Sequence, residues 1–374
     1  MKRMLFCFFS LCLYVAVQAQ QRTITVSNSL TQGREELIEI PWTQVMNAFS
    51  SLDTANFKVI NATTKKEYPY QLEYKGTSQV QHLLVQLSIP AKGAVRLQLV
   101  KGKAKPVVAK TFCRYVPERK DDFAWENDRI AHRMYGRALE KTPGEMAYGV
   151  DVWVKRTDRL VINERYRIGE YHVDHGDGMD YYHVGLTLGA GSIAPYIHDT
   201  IWFPRNYSEW KVLDNGPLRS TFQVGYDEWT AAGRKVKVKK TISIDAGSQL
   251  SKNEVIFETE ANDPLPVVTG IIKRKEAGEM LLNEKEGILA YWEPKHGEDG
   301  ITGVACIMKT PVSQMLVTGE HLLAKTAAQS KIPLIYYSGA AWNKAGLILS
   351  ASDWFRYLQG FQKSITDPIN ITIK

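Results

Sequence analysis

The run Arg234-Lys-Val-Lys-Val-Lys-Lys-Thr-Ile-Ser-Ile-Asp245 puts a β-branched residue at almost every second position, with a cation or hydroxyl between. A period of two sends alternate side chains to opposite faces, so this stretch predicts a strand with one wet face and excludes a surface helix. The same pattern recurs before residue 101 at Thr23 to Val26, Glu36 to Ile40, Phe57 to Ile60, Tyr68 to Tyr74, Gln81 to Ile89 and Val95 to Val100. It continues at Ile130 to Tyr135, Val150 to Lys155, Leu160 to Ile168, Arg219 to Tyr226, Asn253 to Glu258, Val267 to Lys273, Ile288 to Trp292, Gly303 to Met308, Leu334 to Tyr337 and Leu347 to Ser350. Segments this short, bounded by Gly, Asn, Asp and Pro, predict an all-β sandwich or barrel and not a βαβ fold. Helical spacing is confined to Thr43 to Leu52 and to a stripe near the end, Trp354, Phe355, Leu358 and Phe361, with Ser352 as the capping candidate.

Three divisions of the 374 residues follow. Met1-Lys-Arg, the apolar run Met4 to Val17, and small Ala16 and Ala19 have the grammar of a secretory signal over 1–19, which predicts a periplasmic or secreted protein with no transmembrane segment once it is removed. The lysine-rich stretch Lys101 to Lys110, with Pro106, reads as a linker. It divides a small N-terminal β domain, 20–112, from a large β-sandwich, 113–374. The formal charge of +7 is dispersed, so nucleic acid is excluded as a partner of an exported chain. Walker, dinucleotide and Gly-x-Ser-x-Gly patterns are missing, which excludes a nucleotide partner and a serine-elbow nucleophile. Cys113 and Cys306, each among apolar neighbours, suit equally two buried thiols or one disulfide.

Chemistry concentrates in Tyr171 to Asp199. Its 29 residues hold four of the eight histidines (His172, His175, His183, His198) and four aspartates (Asp174, Asp177, Asp180, Asp199), yet no Lys, Arg or Glu. Groups that titrate near neutrality, on backbone that glycine lets turn sharply, suit proton transfer. Three arrangements stay open: acid–base work on a sugar with Trp202 and Trp210 as flat apolar platforms, a divalent metal held by His172, Asp174 and His175, or a polar loop whose histidines bond backbone. No cofactor is required by any motif. In Asp121 to Gly136, a strand over Ile130 to Tyr135 puts Ile130, His132 and Met134 on one face and Arg133 and Tyr135 on the other; a helix would instead align Asp128, His132 and Tyr135. Trp125-Glu-Asn-Asp is either part of the site or a turn in which Asn127 bonds its own backbone. Glu164 and Glu293 join Asp174, Asp177 and Asp180 as carboxylates for glycoside chemistry.

The runs Val116 to Gly136, Gly149 to Lys155, Tyr171 to Tyr182, Leu188 to Pro195 and Asp214 to Thr221 resemble an uncharacterised family of exported bacterial proteins, a domain of unknown function from polysaccharide-degrading bacteria. The resemblance spans nearly all of the chain after the signal. It implies a galactose-mutarotase-like supersandwich preceded by a small β domain, with a short C-terminal helix, in a layout similar to some exo-acting rhamnogalacturonan lyases. That superfamily contains lyases, hydrolases and epimerases, so the fold does not name the reaction. The expectation is a carbohydrate-active enzyme on uronate-bearing oligosaccharides acting by β-elimination, with a hydrolase, an epimerase or a noncatalytic glycan-binding protein as alternatives. The residues assign Arg133 and Asn127 to the substrate carboxylate, His175 or His172 as base, Tyr182 as acid and Asp180 to orient a histidine. Tyr135, Trp125, Trp202 and Trp210 complete the expected binding surface.

Overall fold

A computed structural model describes residues 22–260 and 263–374 of the chain. The expected signal segment lies outside the described residues. The strand Arg234–Asp245 shows the two-residue period directly: Val236, Val238, Ile242 and Ile244 are buried, while Lys235, Lys237 and Lys239 are exposed. It is the third strand of an eight-stranded antiparallel sheet whose order begins Glu209–Asn215, Arg219–Ala231, Arg234–Asp245, Leu250–Thr259. The order then passes through Leu334–Trp342 and Thr302–Met308 to Ile288–Trp292 and Glu279–Asn283.

Two five-stranded sheets lie against this one. The first runs from Gly178–Asp180 through Asp151–Lys155, Ile130–Met134 and Asp122–Asn127 to Thr111–Val116. The second is centred on Leu265–Ile272, flanked by Ala190–Ile197 and His321–Ala328. Phe123, Trp125, Val152, Phe222, Phe257, Val267, Tyr291 and Tyr336 meet in the shared core. Each is nearly completely shielded, and such side chains contribute roughly 1.5–3 kcal/mol apiece.

Ahead of the sandwich, residues 24–101 form a three-stranded and part of a five-stranded sheet around Ile24, Ile38, Phe57, Val59, Leu83 and Leu97. The last strand of the chain, Asn370–Ile373, returns to complete this unit by pairing with Ile24–Ser27. No regular element spans 103–110, where the lysine-rich linker was expected.

Among the described residues there are three α-helices: α1, Trp42–Ala48; α2, Ile162–Ile168; and α3, Ala351–Thr366. Helix α2 corrects the strand expected over Leu160 to Ile168. The buried Glu126 carboxylate accepts the N–H groups of Val161 and Ile162 at 2.8 Å, satisfying donors that a helix start leaves open. Gly169, at φ +80°, ends the helix in the left-handed conformation. Tertiary contact thus overrides a locally strand-like sequence. A strand over Leu347 to Ser350 is also absent; Leu347 and Leu349 are exposed on the approach to α3. The cap of α3 is Ser350 instead of Ser352, its hydroxyl accepting from Asp353 N–H, two residues earlier than the spacing suggested. Trp354 and Leu358 pack on Ile288, Ala290, Ala305 and Ile307, so the aromatic stripe is core. Cys113 and Cys306 are separate buried thiols. No described helix is long and apolar enough to cross a membrane.

Candidate functional site

The period of two along Ile130–Met134 faces Ile130, His132 and Met134 into the sandwich core and Arg133 to the opposite side of the sheet. That opposite face is covered by α2 and the 169–177 loop, so Arg133 is 4% exposed. Its guanidinium lies 3.0 Å from Asp151, 2.9 Å from Asp180 and 3.7 Å from Asp122, with Tyr135 donating to Asp151 at 3.1 Å. One arginine therefore serves three carboxylates. Burial, against the pull of Arg133 and Arg119, pushes Asp122 up to about 6. Burial and the neighbouring Asp151 charge hold Asp180 well above the usual carboxylate range.

The other residues singled out in this stretch are engaged locally. Asn127 accepts the N–H groups of Arg129 and Ile130 and donates to Asp245 and Ser248 carbonyls, the turn arrangement that the sequence left open. Trp125 is a core residue whose indole N–H donates to Ser251 at 3.0 Å. Trp202 is half-buried and donates to the Ile197 carbonyl; Trp210 is exposed on one side and stacks on Tyr115 at 4.7 Å.

In the 169–177 loop, His172 Nδ1 donates to the Asp180 carbonyl at 2.8 Å and His175 Nε2 to the Glu170 carbonyl at 3.3 Å. Both rings are largely exposed. Asp174 accepts from Gly176 and Gly178 N–H and pairs with Arg156. Gly178, at φ +106°, must be glycine here, because a Cβ would sit 2.1 Å from the Val154 carbonyl oxygen. His172, Asp174 and His175 do not bring three ligand atoms within 4.8 Å of one another; among the described residues only Glu39, Glu73 and His82 do. That group already holds cations of the chain, Arg219 at 2.6 Å from Glu39 and 3.3 Å from Glu73, and Lys75 at 3.7 Å from each.

Tyr182 stands apart from that loop. It follows Gly178–Asp180 into the mouth of the sandwich, where its ring is buried and its hydroxyl has no hydrogen-bond partner among the described residues. The Arg274 guanidinium lies over the ring at 4.6 Å. Arg274 Nε donates to Glu293 at 2.7 Å and its Nη1 to the His183 carbonyl at 2.7 Å. Glu293 is 6% exposed; burial, opposed by Arg274 and by nearby His296, pushes its carboxyl up to about 7. Burial would lower Arg274, but Tyr182 and Glu293 hold it above its ordinary value. The Tyr291 hydroxyl, also buried, likewise has no hydrogen-bond partner among the described residues.

Strand ends gather these groups. Arg274 follows Leu265–Ile272, Glu293 follows Ile288–Trp292, and Trp342 closes Leu334–Trp342. At the rim His296 stacks on Tyr181 at 5.3 Å and bonds Asp299 at 2.9 Å, while Arg156 covers the Trp342 face at 4.7 Å. A carboxyl poised near neutrality, beside phenols whose protons burial retains, can move a proton to or from a bound hydroxyl or carbon acid. Arg274, Tyr291 and His296 escaped the sequence reading. Arg274 and His296 follow apolar strands and Tyr291 sits at the end of one, a signal informative only once it is known which strand ends meet.

A family model described as Domain of unknown function (DUF4861) matches residues 26–371. "Uncharacterized protein P7" of Formosa agariphila is 29% identical over 384 residues, covering 95% of this chain and 94% of that protein. Among solved structures, a protein in the glycosyl hydrolase family 38 from Enterococcus faecalis aligns over 94% of this chain at a TM-score of 0.56 and 10% identity. An alpha-mannosidase from Enterococcus faecalis V583 aligns over 94% at 0.54 and 9%. The chain spans about half the length of these two, 47% and 46%. At such identities the likeness shows the fold, the expected all-β supersandwich.

Proposed function

Since the chain belongs to the DUF4861 family, a domain of unknown function, its activity has to be argued from its site, and we propose a carbohydrate-active enzyme in which Glu293 is the acid–base group. The observation that carries this reading is one enclosed carboxyl at about 7, next to the Tyr182 and Tyr291 hydroxyls, unpartnered among the described residues, under a rim of aromatic and cationic side chains. Tyr181 and His296, stacked at the rim, offer flat rings that suit the apolar faces of sugar rings. The fold neighbours, a glycosyl hydrolase family 38 protein and an alpha-mannosidase, support a glycan as the substrate. Export to the periplasm or medium is part of the proposal and rests on the signal-like residues 1–19.

The finer reading is β-elimination on a uronate. A guanidinium, Arg274 or Arg156, meets the sugar carboxylate and acidifies the C5 proton. Ionised Glu293 takes that proton, the bond from C4 to the leaving oxygen breaks as the C4–C5 double bond forms, and Tyr182 protonates the leaving oxygen. The likeness to a glycosyl hydrolase family 38 protein and an alpha-mannosidase favours a second reading, hydrolysis, in which protonated Glu293 serves as the acid.

An ultraviolet time course on a panel of uronate-bearing and neutral oligosaccharides separates them, run with wild type and Glu293→Gln and with and without chelator. Rising absorbance from an unsaturated product indicates elimination; new reducing ends without absorbance indicate hydrolysis. Altered monosaccharide configuration with neither signal indicates epimerisation. Binding with no turnover of any kind makes the protein a glycan-binding module. Glu293→Gln is expected to lower kcat by about 10²–10⁴-fold; an unchanged rate sinks the assignment of Glu293. Loss of turnover with chelator alone returns His172, Asp174 and His175 to the chemistry as metal ligands.

A further inference from the structure

Lys239 and Lys240 are adjacent in a strand, so one of them must point inward. It is Lys240, between buried Val238 and Ile242 and itself 5% exposed. A buried ammonium normally meets a carboxylate. Among the described residues no carboxylate or carbonyl pairs with Lys240; its Nζ lies 4.7 Å from the centre of the Tyr226 ring. Burial, with no opposing charge, lowers its pKa to about 8.

The two side chains line one small crevice, open to solvent at its mouth, with Ser192, Asn206, Tyr148 and Phe203. Tyr148 and Phe203 stack at 5.1 Å to form an apolar wall. No acidic residue lines the cavity. Tyr226 is buried but for 7% of its surface, and its hydroxyl makes no hydrogen bond to another described group, so a cation and a phenol remain as donors facing the same space. The enclosed space is about that of one water, so only the tip of a ligand, such as one carboxylate oxygen, can enter, and the donors call for an anion. A planar carboxylate can accept from both an ammonium and a phenol. This crevice is separate from Glu293, because Leu250–Thr259, Leu334–Trp342 and Thr302–Met308 intervene between Arg234–Asp245 and Ile288–Trp292 in the sheet.

We infer that the crevice at Lys240 and Tyr226 is a second binding site, one that takes a carboxylate group, from a free short-chain acid or from the acidic end of a sugar.

Thermal melts and calorimetric titrations with formate, acetate, glucuronate and glucose, on wild type, Lys240→Met and Tyr226→Phe, test it. Methionine replaces the stem without the charge, so Lys240→Met is expected to fold with a Tm at or above wild type. Saturating carboxylate is expected to raise the wild-type Tm by roughly 2 °C, with no shift from glucose and none in Lys240→Met. Tyr226→Phe keeps the fold and is expected to weaken the carboxylate Kd by roughly tenfold, the loss of one charge-assisted hydrogen bond. Shifts from all three acids support the site with a sugar acid as its ligand; shifts from formate and acetate alone support it with a small free acid. Equal shifts in wild type and Lys240→Met, or no shift and no heat from any carboxylate, overturn the proposal. If Lys240→Met does not fold, an unchanged Kd in Tyr226→Phe overturns it equally.

Discussion

Arg133 is buried and Arg274 half-buried, both stacked on tyrosines and bonded to carboxylates, yet one meets three acids and the other meets one. Around Arg133 three carboxylates converge, so the arginine is engaged by its own chain, and burial raises the Asp122 and Asp180 carboxyls. Around Arg274 one carboxyl is paired, raised by burial to about 7, and among the described residues the neighbouring phenol hydroxyls have no partner. Burial alone therefore does not distinguish scaffold from site. The number of carboxylates on each guanidinium does, because three carboxylates leave Arg133 only one enclosed nitrogen, Nη1, without a hydrogen bond among the described residues.

The most severe test of this contrast is Arg133→Met. It leaves three carboxylates buried without their cation, and a loss of about 3–5 kcal/mol is expected in denaturant titration. Arg274→Met strands only one carboxyl, which can stay protonated, and is expected to cost less stability while lowering turnover strongly. Should Arg133→Met fold with nearly wild-type stability, the network is no scaffold, and Arg133 becomes available for a substrate carboxylate.

The sequence made one side of this comparison legible. The period of two placed Arg133 opposite Ile130, His132 and Met134, and the structure keeps that placement. What no local pattern revealed is that Asp122, Asp151 and Asp180, from three other strands, converge on the same guanidinium; that depends on register between strands. The same limit explains α2. Its strand-like residues become helical because Glu126, 35 residues away, binds its first N–H groups. The dense segment Tyr171 to Asp199 drew attention through composition, but the fold divides it: His172 and His175 stay on the outer loop, Tyr182 enters the sandwich mouth, and Ala190–Ile197 is a buried strand. Glu293 was visible only as one carboxylate of several. Nothing local distinguishes a glutamate whose neighbours come from strand ends many residues apart.

A second test uses pH. Glu293 binds its proton more tightly folded, at about 7, than an ordinary carboxyl near 4.5. The folded state therefore holds a proton that the unfolded chain releases, and the associated stability, present below about 4.5, is lost as pH rises toward 7. Its size is about 3 kcal/mol. Glu293→Gln is expected to flatten most of this slope in melts between pH 4.5 and 7. A residual slope with the same sign, from Asp122 titrating at about 6, should persist and should mark the Arg133 network separately. Activity adds a direction. With Glu293 as the base of an elimination, kcat rises through pH 7; with Glu293 as the acid of a hydrolysis, it falls. A wild-type stability slope unchanged in Glu293→Gln would show that the carboxyl is ordinary.

The smallest expected effect is also the one that bears on the outer loop. His172 and His175 are exposed, and each spends a ring nitrogen on a backbone carbonyl. Alanine at either position is expected to change stability by no more than about 0.5 kcal/mol and to leave turnover within a few-fold of wild type. The measurement is kcat and KM for both variants beside Glu293→Gln on one substrate. A hundredfold fall in kcat for His175→Ala, with Glu293→Gln unaffected, would reverse the comparison. The chemistry would then lie in the crevice that His175 lines with Glu170, Tyr171 and Asp177 beside α2, and the cluster around Arg274 would be the scaffold.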